Sequence, residues 1–228
     1  EGEEKQKGER NQRGEQNQLG EQHQLGEQHQ LGEENMTDDR RKVIDAFLNN
    51  EEESRVPVAF WHHFVSFHDH YSGADEEIYQ TVLREQKKFA DEVKPDLLKI
   101  MSDGFFGHPS VCRKTIRTTE DLAELGPVGA EHPWITKQVE YVKEICDYCG
   151  NDVYKYYNIF SPLQYIRLRF EEYDEDFRKF VRLFHESPET MVKAAKCIAS
   201  DTKCLVKRLF EETSVDGIYT VCSACRIS

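Results

Sequence analysis

Four short segments combine aromatic residues with His, Asp, Ser or Cys, and each follows directly after a predicted strand. They read FWHHFVSFHDHY, MSDGFFGHP, NIFSPLQY and YTVCSAC, beginning at Phe60, Met101, Asn158 and Tyr219. Imidazole gains and loses a proton near neutral pH, so adjacent histidines such as His62 and His63 are candidates for a general acid or base. The segments therefore predict a small-molecule site where four strands end.

The elements that must position these segments alternate between strand and helix. Apolar runs predict four strands, and helical periodicity with capping signals predicts the helices between them. The predicted strands are Arg55–Phe60, Leu97–Met101, Asp152–Phe160 and Val215–Val221. The predicted helices are a short one with Val43, Ile44, Phe47 and Leu48 on one face, then Glu76–Glu92, a short one opened by Thr118, Trp134–Cys149, Asp176–His185 and Pro188–Glu212.

This alternation predicts an α/β fold with a parallel sheet covered by helices. No G-x-G-x-x-G follows the first strand, so a dinucleotide-binding sheet is not supported. A (β/α)8 barrel is the other common outcome, and its chemistry lies at the carboxyl ends of the strands. The four polar segments occupy those ends, whereas ordinary turn residues occupy the opposite ends.

Composition excludes several classes of function. The formal net charge of −13 leaves no basic stripe for nucleic acid. No apolar run reaches the roughly 18 residues that a membrane span needs, and no secretion leader is apparent. Seven cysteines, an odd number, fit reduced thiols better than a disulfide framework. We therefore expect a cytoplasmic protein with a small-molecule substrate, and neither a nucleic acid nor a membrane as partner.

Residues 1–35 differ from the rest because they repeat a Gly-Glu-Gln-rich unit every six residues. Leucine at this spacing builds neither a helical nor a strand face, so a disordered tail is predicted. A weak metal-binding or docking role through His23 and His29 is the alternative. We hypothesise that Met36 is the natural start and that the repeat is a translated tandem DNA repeat.

The segments RVPVAFWHHF, KIMSDGFF, NIFSP and VDGIY, in this order and spacing, resemble the uroporphyrinogen decarboxylase superfamily. They look most like its bacterial branch near the corrinoid-dependent methyltransferases, and the resemblance covers Asp38 to about Val221. It implies a (β/α)8 barrel with a substrate funnel at the strand ends. A whole barrel has about 250 residues, more than residues 36–228 supply.

The expectation is therefore a partial barrel of about four βα units, truncated after the fourth strand. Such a fragment has an open edge through which it could self-associate. The ending also departs from the family pattern after Tyr219, which raises the hypothesis of a frameshift near that residue. An inactive truncated product is one of the functions left open.

The resemblance implies a role for Asp103. In the decarboxylase, an aspartate after the second strand faces the pyrrole nitrogens and stabilises positive charge on the substrate. The alternative for Asp103 is a simple Asp-Gly turn. The family's RQAGR stretch, whose arginines bind substrate carboxylates, is replaced here by WHHFVSF, which has no arginine. This departure argues against porphyrinogen itself and leaves another acidic substrate open.

Asp103 and His62 are the predicted catalytic residues. The predicted substrate-binding residues are Phe60, Trp61, His63, Phe105, Ser161, Tyr165 and Tyr219. A metal site formed by His62 or His63 with His68 and His70 is a weaker alternative, and no metal ligand is assigned. His108 is expected to be a solvated loop residue.

Two pairs of cysteines have zinc-ligand spacing: Cys146 with Cys149, and Cys222 with Cys225. The first pair precedes a strand and the second follows one, so opposite ends of a barrel would separate them and a shared site is not expected. The predicted function is that of a decarboxylase-type lyase, here an incomplete fragment, which acts without a cofactor on a porphyrinogen-like or other acidic substrate. The alternative, a methyltransferase working with zinc and a corrinoid protein, would take its His and Cys zinc ligands from a second barrel half.

Overall fold

Three parallel strands form the sheet of this mixed α/β fold. A computed structural model of the chain describes residues 40–52, 55–112, 115–173 and 176–222. The strands are β1 (Leu97–Ile100), β2 (Tyr154–Phe160) and β3 (Gly217–Val221), and they lie in the order β1-β2-β3. The predicted tail, Met36, Cys225 and the residues after Cys222 lie outside the described residues.

Helices connect the strands and precede them. They are α1 (residues 40–49), a 3-10 helix (Phe67–Tyr71), α2 (Glu76–Val93), α3 (Pro109–Cys112), α4 (Thr119–Ala123), α5 (Pro133–Cys149), α6 (Pro162–Leu168) with a π-helical turn (Arg169–Tyr173), α7 (Phe177–Glu186) and α8 (Pro188–Glu212). Among the described residues, none of these helices has the length and apolar character needed to cross a bilayer.

The hydrophobic core lies on one face of the sheet. Leu98 and Ile100 of β1 and Tyr157 and Ile159 of β2 are buried there against α2, α5 and α8. The facing apolar residues of α5 and α8 follow the predicted helical spacing and are all buried: Ile135, Val139, Val142, Ile145, Met191, Ile198, Leu205 and Leu209. The helical periodicity therefore identified the covered face correctly.

Helix ends also follow the sequence signals. The Thr118 side chain caps α4 in a reciprocal capping box with Asp121, as predicted. Two apolar residues of the predicted α1 face do not pack as expected, because Phe47 and Leu48 are more than half exposed. The sequence analysis did not predict α6, which Ser161 caps directly after β2.

The segment 55–60 was predicted to be a buried strand, and this prediction is wrong. The segment runs beside β1 but is exposed, with Val56 at 80%. The backbone N–H of Asp96 donates to the carbonyl of Val58 over 2.9 Å, but the N–H of Val58 donates to the Asp96 side chain. Pro57 has no N–H to donate. A strand ladder therefore does not form here.

His108 was expected to be solvated, and this expectation is wrong. Its ring is fully buried and packs edge-on against Trp134. The Nε2 atom lies 3.2 Å from a carboxylate oxygen of Asp201 on α8, and Nδ1 lies 2.8 Å from the hydroxyl of Ser110. Burial lowers the pKa of His108 to about 4, against an opposing effect of the Asp201 carboxylate.

This pKa predicts how stability depends on pH. The folded chain keeps His108 neutral down to about pH 4, whereas the unfolded chain protonates it near pH 6.5, so the free energy of unfolding falls as pH drops through this window. Burial also lowers the pKa of His70, which acts in the same direction. Urea unfolding at pH 6.5, 5.5 and 4.5 measures the slope, and we expect His108→Gln to flatten it. Equal slopes for the two proteins would contradict the prediction.

Candidate functional site

A tight turn at the carboxyl end of β1 positions Asp103. The N–H of Phe105 donates to the carbonyl of Ser102 over 2.9 Å, and Gly104 has the positive φ of 90° that the turn requires. Gly104 also lies so close to Gly73 that a Cβ at Gly73 would come within 2.6 Å of the Gly104 oxygen. The predicted Asp-Gly turn is therefore present and is held against the preceding loop.

The carboxylate of Asp103 is fully buried and is bound by the loop that follows residues 55–60. His63 Nδ1 lies 2.9 Å from Oδ1, and the backbone N–H of Phe64 donates to Oδ2 over 2.7 Å. The imidazole of His63 is half exposed while the carboxylate is 0% exposed. This pair can exchange a proton on its solvent side while its carboxylate keeps a fixed position.

A second histidine, His70, lies next to this pair. Its ring centre is 4.5 Å from the ring of His63 and 4.5 Å from the ring of Phe106. The 3-10 helix carries it, and the N–H of Phe106 donates to the carbonyl of His70 over 3.0 Å. Burial lowers the pKa of His70, so the neutral imidazole is favoured.

The face of the sheet opposite the core carries a buried cation. The Lys99 ammonium lies 4.5 Å from the ring centre of Trp61 and 4.3 Å from that of Tyr219. The residue as a whole is 5% exposed. Desolvation lowers the pKa of Lys99, and the Asp103 carboxylate partly opposes this effect. Stacking of a cation between aromatic rings is favourable, yet it leaves the ammonium hydrogens able to bind an anion.

The sequence analysis missed Lys99 although a signal was present. A lysine stands in the centre of the apolar run LLKIM. Lysine is rarely buried in a strand unless it has a partner, so its position there indicates a specific role. Asn158 on β2 was also missed. It donates to the Ser102 hydroxyl over 2.8 Å, and its own carbonyl oxygen is buried without a partner among the described residues.

The structure brings together some of the predicted residues and separates others. Asp103 follows the carboxyl end of β1 and contacts His63, while Trp61 and Tyr219 both contact the Lys99 ammonium. His62, predicted to be catalytic, packs instead edge-on against Phe64 and Phe89, with ring centres 4.7 and 5.1 Å away. His63, and not His62, therefore contacts Asp103.

Two other predicted pocket residues, Phe60 and Phe105, have different surroundings. Phe60 is 59% exposed. Phe105 is buried and lines a separate cavity of about 260 Å³ with Tyr71 and Trp134 among its neighbours. The phenylalanine therefore faces away from the His63–Asp103 pair.

Ser161 and Tyr165 have structural surroundings. The Ser161 hydroxyl accepts a hydrogen bond from the N–H of Gln164 as the cap of α6, and its own N–H donates to Val221. Tyr165 is 1% exposed and packs against Trp134 and Phe160. The structure therefore encloses the Tyr165 ring in the core and uses the Ser161 hydroxyl as a helix cap.

The six described cysteines are free thiols. Cys146 and Cys149 end α5 ahead of β2, whereas Cys222 follows β3 at the opposite end of the parallel sheet. Burial raises the pKa of Cys149 to about 11, so its thiol stays protonated. The first cysteine pair therefore does not have the character of a reactive or metal-binding site.

Comparison with protein-family models, with curated proteins and with solved structures finds no match to this chain. The site must therefore be interpreted from its own geometry.

Proposed function

We propose that this chain carries the active-site end of a lyase that decarboxylates an acidic small molecule. The observation that carries the proposal is the Asp103 carboxylate, fully buried at the end of β1 and bound by His63 Nδ1 over 2.9 Å. A fixed carboxylate with an exposed imidazole beside it is suited to stabilise positive charge and to deliver a proton.

We further propose that the fold comprises the first units of a (β/α)8 barrel. The parallel strands follow one another in chain order, and the core helices pack on one face of the sheet. The segment 55–60 lies beside β1, where a preceding strand of a barrel would lie. The carboxyl ends of barrel strands carry the catalytic residues, and Asp103 follows such an end.

The proposed reaction breaks the bond between a substrate carbon and its carboxylate. A proton added to the substrate beforehand creates a positive charge that accepts the electron pair left behind as CO2 departs. Asp103 stabilises this charge, His63 donates the proton that the carbon finally takes up, and the first proton then leaves the product for solvent, so that one proton is consumed for each CO2 released. Because His63 is half exposed, it regains a proton from solvent. The chemistry needs no cofactor.

Lys99 is the proposed partner of a substrate carboxylate. The segment WHHFVSF, which stands where the resembled family has RQAGR, contains no arginine that could bind a carboxylate. The Lys99 ammonium, between Trp61 and Tyr219 on the face of the sheet opposite the core, can take this role. The two rings offer apolar walls to a flat substrate. One cation favours a substrate with one or two carboxylates over a molecule with many.

Lys99→Met is expected to raise KM about 10- to 100-fold while kcat changes little. An ion-paired hydrogen bond contributes about 1.5–3 kcal/mol, and each 1.4 kcal/mol is a factor of ten. Steady-state kinetics of CO2 release measure both constants, and Lys88→Met, on the exposed side of α2, is the matched control. An unchanged KM in the Lys99 variant would remove this residue from the proposal.

The function itself is tested by incubating the 228-residue chain with carboxylic acids in the presence of EDTA. The panel runs from aromatic and heteroaromatic acids with one or two carboxylates to uroporphyrinogen, and released CO2 is the readout. We expect release from an acid of the first kind, at a rate that depends on Asp103. No release from any acid by folded protein would overturn the proposal.

A further inference from the structure

His70 is buried in a way that its hydrogen bonds do not explain. The residue is 6% exposed, and neither Nδ1 nor Nε2 has a hydrogen-bond partner among the described residues. A neutral imidazole has one N–H donor and one acceptor nitrogen, and burying both without partners is costly. A buried polar group without a partner needs an explanation, and a bound ion is one of those known in native proteins.

Two other side chains that can bind a metal ion, those of His63 and Asp103, lie close to the nitrogens of His70. His63, His70 and Asp103 each offer one ligand atom, and the three atoms lie within 4.8 Å of one another. In a tetrahedral zinc site with bonds of about 2.0–2.2 Å, ligand atoms are about 3.3–3.6 Å apart. The observed separation is therefore close enough for small side-chain rotations to bring three ligands onto one ion.

The backbone around the three side chains is tied together. The N–H of Gly73 donates to the carbonyl of Gly104 over 2.8 Å, which joins the loop after His70 to the turn that holds Asp103. The second oxygen of Asp103 accepts a hydrogen bond from Phe64, the residue after His63. Such outer contacts orient a ligating carboxylate and increase metal affinity.

We propose that His63, His70 and Asp103 form a site for one divalent cation of the zinc class. Two imidazoles and a carboxylate are ligands that zinc and cobalt accept, whereas magnesium and calcium prefer oxygen ligands alone. Three protein ligands leave a fourth position open for water or another ligand.

Metal binding and proton transfer exclude each other at this site. His63 and Asp103 cannot serve as ligands and as a proton-handling pair at the same time. Saturating zinc is therefore expected to stop the CO2 release proposed above, which is why that assay contains EDTA. The binding proposal does not depend on the lyase activity.

The experiment is titration of the EDTA-treated and dialysed chain with ZnCl2 at pH 7.5, followed by calorimetry. A parallel titration with CoCl2 is followed by the visible absorption of four-coordinate Co²⁺. Because His23 and His29 add possible weak sites, the result is the difference between variants. We expect His70→Ala to weaken the tightest site at least about 100-fold, more than the loss of an outer-shell contact.

His68→Ala is the matched control, because His68 lies on the same 3-10 helix but is exposed. Should His70→Ala fail to fold, His63→Ala changes a half-exposed side chain and is expected to lose the same site. Equal zinc affinity in the wild type, His63→Ala and a folded His70→Ala would overturn the proposal. Zinc binding without CO2 release from any acid would support the metal site and refute only the proposed lyase activity.

Discussion

Asp103→Asn is expected to lower kcat for CO2 release about 100- to 1,000-fold, with little change in KM. The amide keeps the shape of the side chain but removes the negative charge that stabilises the positively charged transition state, and a preorganised electrostatic group contributes about this much. Its position is fixed by His63 Nδ1 and by the N–H of Phe64, so solvent does not replace it easily. Steady-state kinetics with the preferred acid from the panel measure the effect.

Asp147→Asn is the matched control for this prediction, because Asp147 is exposed on α5 and has no place in the site. Near-UV circular dichroism and a thermal melt check that the Asp103 variant is folded. A folded variant with kcat within threefold of the wild type would mean that Asp103 only shapes the turn.

Asp201→Ala is expected to lower the free energy of unfolding by about 2–3 kcal/mol. The Asp201 carboxylate accepts hydrogen bonds from the N–H groups of Val128 and Gly129 over 2.7 and 3.0 Å and lies beside the buried His108 ring. Alanine leaves the fully buried His108 ring without its carboxylate partner, at about 1–3 kcal/mol, and the Val128 and Gly129 N–H groups add less because their loop is partly exposed. Urea unfolding followed by far-UV circular dichroism measures the loss.

Asp201→Asn tests the physical reason, since its amide oxygen can still accept one of the two hydrogen bonds. We expect its loss to lie between those of the wild type and the alanine variant. Glu211→Ala, at an exposed position on the same helix, controls for helix propensity. A loss below 1 kcal/mol for Asp201→Ala would show that water reaches the 128–129 loop.

The sequence predicted the regular elements well where one physical signal dominated. The long apolar periodicities identified α5 and α8, and the short apolar runs located β1, β2 and β3 to within about two residues. Segment 55–60 carries a similar apolar run, but its outcome depended on Pro57 and on the Asp96 side chain, which takes the N–H of Val58. The pattern of residue types does not show that the Asp96 side chain takes the place of a strand partner for this N–H group.

The site was harder to predict because it depends on contacts between distant segments. The sequence identified Asp103 and the His62–His63 pair, but the choice of His63 depends on which ring the loop turns toward the carboxylate. His108 is buried by contacts with residues far along the chain, such as Asp201 on α8. The importance of His70 comes from its burial without a hydrogen-bond partner in the part of the chain that the structure describes. The spacing of residues in the sequence gives no sign of this.

The stacking of Trp61 on the Lys99 ammonium has an optical consequence. The chain has two tryptophans, of which Trp134 is buried in the core and Trp61 is half exposed on the open face of the sheet. A neutral quencher such as acrylamide therefore reaches Trp61 far more readily than Trp134, and the quenchable part of the emission comes from this surface. A molecule bound against Lys99 would shield Trp61, so its arrival can be followed by intrinsic fluorescence without a label.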